Sequence, residues 1–223
     1  HRGIGVISAR DEQPIVVHSK FGSFAIVTNG FIDNAKVLAE ELYKDGQSFS
    51  EVTDGRVNLT ELVAKMIIRG RSIVEGIEEM FSRIDGSCSL LILNNEGIIA
   101  ARDRHGYSPL VVGARDKDWA VTTETTAFSN LGFYIKKYLG PGEVILIDEN
   151  GMKPKSKGSE TNQICAFLWI YTGFPASSYE GITVEVVRER CGMFLAKDDT
   201  VKKDLVSGIP DSGTTHAIGY AME

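Results

Sequence analysis

The stretch Phe24-Ala25-Ile26-Val27-Thr28-Asn29-Gly30-Phe31-Ile32-Asp33-Asn34 decides how the rest of the chain is read. Its apolar opening, residues 24–27, predicts a strand. The strand reaches Asn29-Gly30, and helical signals start at Asp33 or Asn34, either of which can cap. Asn-Gly is a strong turn dipeptide because both residues tolerate positive φ. The same pair also suits an oxyanion hole. An Asn amide and a Gly N–H can converge on one developing negative oxygen, and glycine lets the backbone approach closely. The residues alone leave turn and oxyanion hole both open.

Working outward, residues 4–18 read as a hairpin, with Ile4, Val6 and Ile7 on one arm and Ile15, Val16 and Val17 on the other. After Asp33, Val37, Leu38 and Leu42 share a helix face that Gly46 closes. Asn58 followed by Glu61 is a capping-box pattern for a second helix, and Ser72 followed by Glu75 opens a third. Strands are predicted at 88–93, 98–101, 110–113, 119–122 and 143–147, joined by polar turns, which implies antiparallel sheet. Several are apolar on both faces, which suits stacked sheets between helical layers. Lys136-Lys137 reads as a solvated helix or loop face.

Residues 153–163 are polar, contain Pro154 and Gly158, and read as a linker. Beyond them the pattern changes. Residues 164–171 look like an apolar strand, 183–196 like a helix, and Leu205-Val206 like a short buried strand. That strand leads into Gly208-Ile209-Pro210-Asp211-Ser212-Gly213-Thr214-Thr215, with a helical stretch from His216. Strand, loop and helix in this order look like the first unit of an α/β domain. The loop can cradle an anion, because glycines free its backbone, hydroxyls line it and a helix N-terminus follows. It also reads simply as a capped helix start, since Asp211 and Ser212 are good N-caps.

The chain has 223 residues, 24 Lys+Arg against 30 Asp+Glu, and a formal net charge of −6, which makes nucleic acid and anionic membrane poor partners. No apolar run reaches the roughly 20 residues of a membrane helix. Cys88, Cys165 and Cys191 are few and far apart, so a disulfide framework is not expected and a cytoplasmic setting is. Cys165 reads as a small buried hydrophobe in its strand, and Cys88 and Cys191 read likewise. The four histidines show no paired metal spacing.

These segments, taken in order, resemble the class II glutamine amidotransferases. His1-Arg2-Gly3, the run from Phe21 to Gly30, and Phe31-Ile32-Asp33-Asn34 look like consecutive motifs of that family. Three further segments are similar to signatures of its amidophosphoribosyltransferase branch. They are Arg102-Asp103-Arg104-His105-Gly106-Tyr107-Ser108-Pro109-Leu110, Thr123-Glu124-Thr125-Thr126-Ala127-Phe128, and Pro141-Gly142-Glu143 with Asp148 to Met152. Residues 164–171 and 208–213 resemble the passage into that branch's phosphoribosyltransferase domain.

The resemblance implies an α+β fold, a four-layer αββα N-terminal-nucleophile hydrolase sandwich, followed by the start of an α/β phosphoribosyltransferase domain. It implies an incomplete amidotransferase domain over 1–152, a linker over 153–163, and the opening of the second domain over 164–223. The implied reaction hydrolyses glutamine and adds the ammonia to phosphoribosyl pyrophosphate, giving phosphoribosylamine for purine synthesis. Asn29 and Gly30 would form the oxyanion hole. Pro210, Asp211, Ser212, Gly213 and Thr214 would hold the pyrophosphate, with Ser212 helping a magnesium ion. Cys165 matches a position that binds a [4Fe-4S] cluster in part of the family. Implied partners are the two substrates, purine nucleotide feedback inhibitors and further copies of the chain in a homo-oligomer. The alternative is a catalytically inactive amidotransferase-like scaffold or regulatory binding protein.

Several family features are missing. There is no N-terminal Cys nucleophile and no Arg-Tyr-Ser/Thr motif ahead of Phe21. Asn58-Leu59-Thr60-Glu61 stands where the family has Ser-Asp-Ser-Glu, Thr28 replaces a His, and Ser108 replaces an Arg. The losses fall at abrupt joins, near Gly3/Ile4 and Lys20/Phe21, and at both ends. The reading that follows is of ordered pieces of a longer chain. Mass spectrometry of the intact protein is expected to exceed 24.4 kDa; a mass at that value would sink this reading.

Overall fold

The computed structural model describes residues 1–8 and 12–223. In chain order the elements are β1 (Ile15–Ser19), β2 (Gly22–Ile32), α1 (Ala35–Lys44), β3 (Val52–Thr53), β4 (Arg56–Val57), α2 (Leu59–Ile67), α3 (Ile73–Arg83), β5 (Gly86–Leu93) and β6 (Ile98–Ala101). There follow β7 (Val111–Arg115), β8 (Asp118–Thr122), α4 (Thr126–Leu131), β9 (Tyr134–Tyr138), β10 (Val144–Asp148) and β11 (Gly151–Ser156). The remainder holds a π-helical turn at Leu168–Thr172, β12 (Ser178–Tyr179), β13 (Ile182–Thr183), α5 (Val184–Asp198) and α6 (Gly213–Met222). They form two compact units. One comprises His1–Leu110 with Leu139–Ile164, the other Val111–Tyr138 with Cys165–Glu223.

The first unit is built on an antiparallel sheet of order β1-β2-β5-β6-β10-β11. Ile26, Leu90, Ile92, Ile99 and Leu146 pack in one core with Leu38 and Leu42 of α1, Leu62 and Ile67 of α2, and Ile77 and Met80 of α3. In α1 and α3 residues three and four apart make one buried stripe and the opposite face stays wet, whereas α2 is buried nearly all round, with only Leu59 and Lys65 half-buried. The helix starts follow local chemistry. Asn58 Oδ1 accepts the N–H groups of Thr60 and Glu61, and Ser72 Oγ accepts that of Glu75. The capping box at α2 is only half formed. The Glu61 carboxylate accepts from the Ser50 N–H, the Ser50 hydroxyl and the Glu51 N–H instead of from Asn58. Asn34 makes no side-chain cap at α1; its amide joins Arg83 O and the Asp85 N–H.

The second unit carries a sheet of order β8-β7-β9, the β12–β13 pair and the helices α5 and α6. Arg188 of α5 is buried and donates to the carbonyls of Trp169, Tyr171 and Gly173, which satisfies the end of the π-helical turn.

Several sequence expectations change. The hairpin over 4–18 is not formed: residues 1–8 hold no strand, and its turn residues Arg10 and Asp11 lie outside the described residues. Ile15–Ser19 pairs with β2 instead, because Ser19 faces Gly22 across the two-residue turn Lys20-Phe21. The join read at Lys20/Phe21 therefore falls inside a hairpin in register. Asn29-Gly30 is no turn but part of β2. Residues 164–171 form no strand: the π-helical turn starts at Leu168, and Cys165 is half-buried in its approach. Leu205-Val206 is not a buried strand, since Leu205 is 85% exposed. The polar stretch read as linker begins inside β11, where Lys153 and Pro154 pair with Leu146 and Ile145. Lys136 and Lys137 lie on β9.

Gly76 sits where α3 crosses α2, and a Cβ there would overlap the Ile67 carbonyl oxygen. Gly76→Ala is expected to cost about 2 kcal/mol by overpacking, read as a lowered urea midpoint with the slope unchanged.

Candidate active site at the β2–β5 seam

Asn29 and Gly30 lie opposite Ser89 and Cys88 in the β2–β5 ladder. Gly30 has φ +149, and a Cβ on it would overlap the Ser87 carbonyl oxygen, so only glycine fits. The seam opens into a cavity of about 350 Å³ whose lining includes Val6, Gln13, Thr28, Asn29, Gly30 and Leu59. None of the described lining residues carries a charge.

A polar frame holds this edge of β2. The Gln13 side-chain amide acts like a strand residue: its Oε1 accepts the Thr28 N–H at 2.7 Å and its Nε2 donates to Thr28 O at 3.2 Å. The Thr28 hydroxyl lies 2.6 Å from that of Thr60 on α2. Asn58, buried, caps α2 with its oxygen and donates its amide to Glu12 O and the Glu51 carboxylate. Burial would raise the Glu61 carboxyl, but the donors from Ser50 and Glu51, with Lys65 nearby, hold it below the usual carboxylate range. A group lowered in this way stabilises the fold above its unfolded value and loses that contribution as pH falls through its folded value.

Cys88 is not an activated nucleophile. Burial, and secondarily the Asp103 carboxylate, pushes its thiol up to about 12. Asp103 is instead a loop organiser. It is buried and accepts the N–H groups of His105, Tyr107 and Ser108 at 3.0–3.2 Å. Beside it Arg102 donates to the carbonyls of Leu139 and Gly106. The loop so held brings Tyr107 edge-on to Phe31, 6.0 Å between centroids, and Ser108 Oγ to 3.4 Å from Ser87 Oγ. The roles of Gln13 and Thr60 have no local mark in the sequence, because each depends on a contact between separate segments, whereas Asp103 organises a turn of its own next few residues.

The second predicted cluster, Pro210 to Thr214, belongs to the other compact unit. Ser212 precedes α6 with helical φ and ψ and its hydroxyl makes no cap; the Gly213 and Thr214 N–H groups donate instead to the carbonyls of Ile209 and Asp211. The His216 ring Nδ1 lies 2.9 Å from Ser212 O. Asp211 and Thr214 are exposed and Ser212 is half-buried. These oxygens are hard donors of the kind magnesium takes alongside phosphate oxygens. Cys165 is half-buried, and among the described residues no group of three His, Cys, Asp or Glu is placed to hold a metal. No helix among them is long and apolar enough to cross a membrane.

The fold is that of the class II, N-terminal-nucleophile amidotransferases. The structure matches glutamine phosphoribosylpyrophosphate amidotransferase from B. subtilis complexed with ADP and GMP, with TM-score 0.85 and 32% identity over 96% of this chain and 47% of that one. It matches a structure described as the allosteric regulatory enzyme of purine biosynthesis with TM-score 0.84 and 33% identity over 94% of this chain and 45% of that one. The family model described as a glutamine amidotransferase domain matches residues 1–130, more than half of the chain. The chain therefore belongs to the glutamine amidotransferase domain family. Its curated relatives include the amidophosphoribosyltransferases of Methanocaldococcus jannaschii, 34% identical over 95% of this chain and 48% of the relative, and of Bacillus subtilis, 33% identical over 94% and 44%. The chain thus spans about half the length of the curated relatives it matches.

Because the Cys88 thiol ionises only near 12, it is expected to resist iodoacetamide at pH 8 in the folded protein and to react once urea unfolds it. Half-buried Cys165 and Cys191 should label first. Early labelling at Cys88, read by peptide mass mapping, would contradict its placement.

Proposed function

We propose that this chain carries the glutamine-hydrolysing part, and the opening of the phosphoribosyl-transferring part, of an amidophosphoribosyltransferase. Ammonia released from glutamine would add to phosphoribosyl pyrophosphate, giving phosphoribosylamine and pyrophosphate. The observation that supports this most is Asn29-Gly30. In a chain of this family the pair lies in β2 at the edge of a cavity, pinned by the close approach of Gly30 to Ser87.

In this reading the amide carbonyl oxygen of glutamine enters the cavity. As attack on its carbon makes it an oxyanion, Asn29 Nδ2 and the Gly30 N–H stabilise the charge. Gln13 and Thr60 hold Thr28, and with it the strand, in place. Preorganised donors of this kind need no reorganisation at the moment of reaction.

At the other site the Ser212 and Thr214 hydroxyls, at the positive end of the α6 dipole, bind the pyrophosphate end, while Pro210, Asp211 and Gly213 shape the loop. Magnesium, with Ser212 among its donors, would neutralise the leaving phosphates. The amidotransferase domain then runs over 1–152 and the phosphoribosyltransferase opening over 164–223, with 153–163, whose first residues complete β11, as the link between them. The same reading carries purine nucleotide feedback, a homo-oligomeric assembly and a cytoplasmic setting. Support for the nucleotide partners comes from the ADP and GMP bound to the B. subtilis relative.

The test is turnover by the full-length protein with phosphoribosyl pyrophosphate, supplied with glutamine or with ammonium chloride. Asn29→Ala is expected to lower the ratio of glutamine- to ammonia-supported turnover by about 10²-fold, the usual cost of one lost oxyanion donor. An unchanged ratio would remove Asn29 from the site. Ammonia-supported turnover alone in the unmodified protein would mean a disabled glutamine site.

A further inference from the structure

The segment Thr123-Glu124-Thr125-Thr126-Ala127-Phe128 takes no part in either candidate site, yet the Glu124 carboxylate gathers four donors. Its Oε1 accepts the Thr126 N–H and the Thr126 hydroxyl, each at 3.1 Å, and the Ser177 hydroxyl. Its Oε2 accepts the Tyr179 hydroxyl at 3.1 Å. Thr125 adds a second tie, its Oγ1 accepting the Ser178 N–H at 2.8 Å. Thr125, Ser177 and Tyr179 are all buried. A buried set of hydroxyls with each bond made is rigid, because any displacement leaves a polar group unpaired.

The segment so held leads directly to α5. The Val184 N–H donates to Ser177 O and the Glu185 N–H to Pro175 O, while Ser178 pairs with Thr183. Helix α5 in turn lies backbone to backbone on α6. A Cβ on Gly192 would overlap the His216 carbonyl oxygen, and one on Gly219 would overlap that of Glu189. Contact this close allows α6 little sliding against α5. The α6 end is tied back to its loop by His216 and Ser212.

We propose that Glu124 is a positioning residue: by clasping Ser177 and Tyr179 it sets the start of α5, and through α5 it sets α6 and the loop of Asp211, Ser212 and Thr214. For catalysis this rests on the reading that the loop takes the pyrophosphate group of phosphoribosyl pyrophosphate. The structural half stands without it. The carboxylate acts at a distance and touches no substrate. It belongs to the amidotransferase stretch of the sequence, yet it governs the order of the phosphate loop.

The experiment compares the full-length protein with Glu124→Ala, Glu124→Gln and Tyr179→Phe by hydrogen exchange and by ammonia-supported turnover. In Glu124→Ala the amides of residues 213–216 are expected to exchange about tenfold faster, since local opening there becomes easier. The KM for phosphoribosyl pyrophosphate should rise about tenfold with kcat within about twofold, the pattern of lost ground-state placement. Glu124→Gln should recover most of both effects, because its amide oxygen still accepts and the hydroxyls can turn. Faster exchange confined to residues 122–128 and 177–179, with KM unchanged, overturns the proposal. Should Glu124→Ala fail to fold, Tyr179→Phe removes one donor only, and the same two readouts decide. If the unmodified protein does not turn over phosphoribosyl pyrophosphate, the functional reading fails, while exchange at 213–216 still decides the positioning role.

Discussion

The close approach of β2 to β5 at Gly30 is the constraint on which the first unit depends. With a side chain there, the strand would have to leave Ser87, and the ladder from Ala25↔Leu93 to Ile32↔Gly86 could not close. That ladder supplies Ile26, Leu90 and Ile92 to the core under α2 and α3. It also fixes which way Asn29 faces, since a one-residue slip in register would send each side chain of β2 to the opposite face. The same contact therefore governs stability and site geometry. This explains an Asn-Gly pair inside a strand, where its turn propensity would otherwise be a liability.

A second device recurs in both units. Carboxylates organise loops by accepting several donors from nearby chain. Glu61 gathers Ser50 and Glu51, Asp103 gathers His105, Tyr107 and Ser108, and Glu124 gathers Thr126, Ser177 and Tyr179. An ionised carboxylate has room for about four acceptor contacts, so one side chain can fix a whole turn. Leaving such a group unpaired in a buried place costs several kcal/mol. Asp103 shows how this reaches the site. It folds the loop that sets Tyr107 against Phe31, the residue next to Gly30.

What could be read from the chain followed the range of the forces. Asn58 and Ser72 were legible as helix starts because a cap is a bond between residues two or three apart. The α5 helix and strands β5, β6, β8 and β10 were legible from apolar spacing and turn residues. Residues 164–171 misled because a short apolar run looks alike as strand or helix, and the π-helical turn depends on Arg188, some twenty residues on. The hairpin expected over 4–18 failed for a similar reason. Ile15, Val16 and Val17 fit any partner strand, and the two-residue turn at Lys20-Phe21 placed them on β2.

The sequence by itself determined the α+β class, the helix caps, most strands and the candidate Asn29-Gly30 pair, because these rest on local propensity, periodicity and residue chemistry. Only the tertiary structure decided that Asn29-Gly30 lies in a strand against Ser87, that Gln13 and Thr60 brace Thr28, and that the Asp103 carboxylate adds to burial in holding the Cys88 thiol protonated. Only the tertiary structure, too, could join Glu124 to Ser177 and Tyr179 across more than fifty residues. Such pairings form when packing brings distant segments together, and a single sequence carries no local mark of which segments will meet.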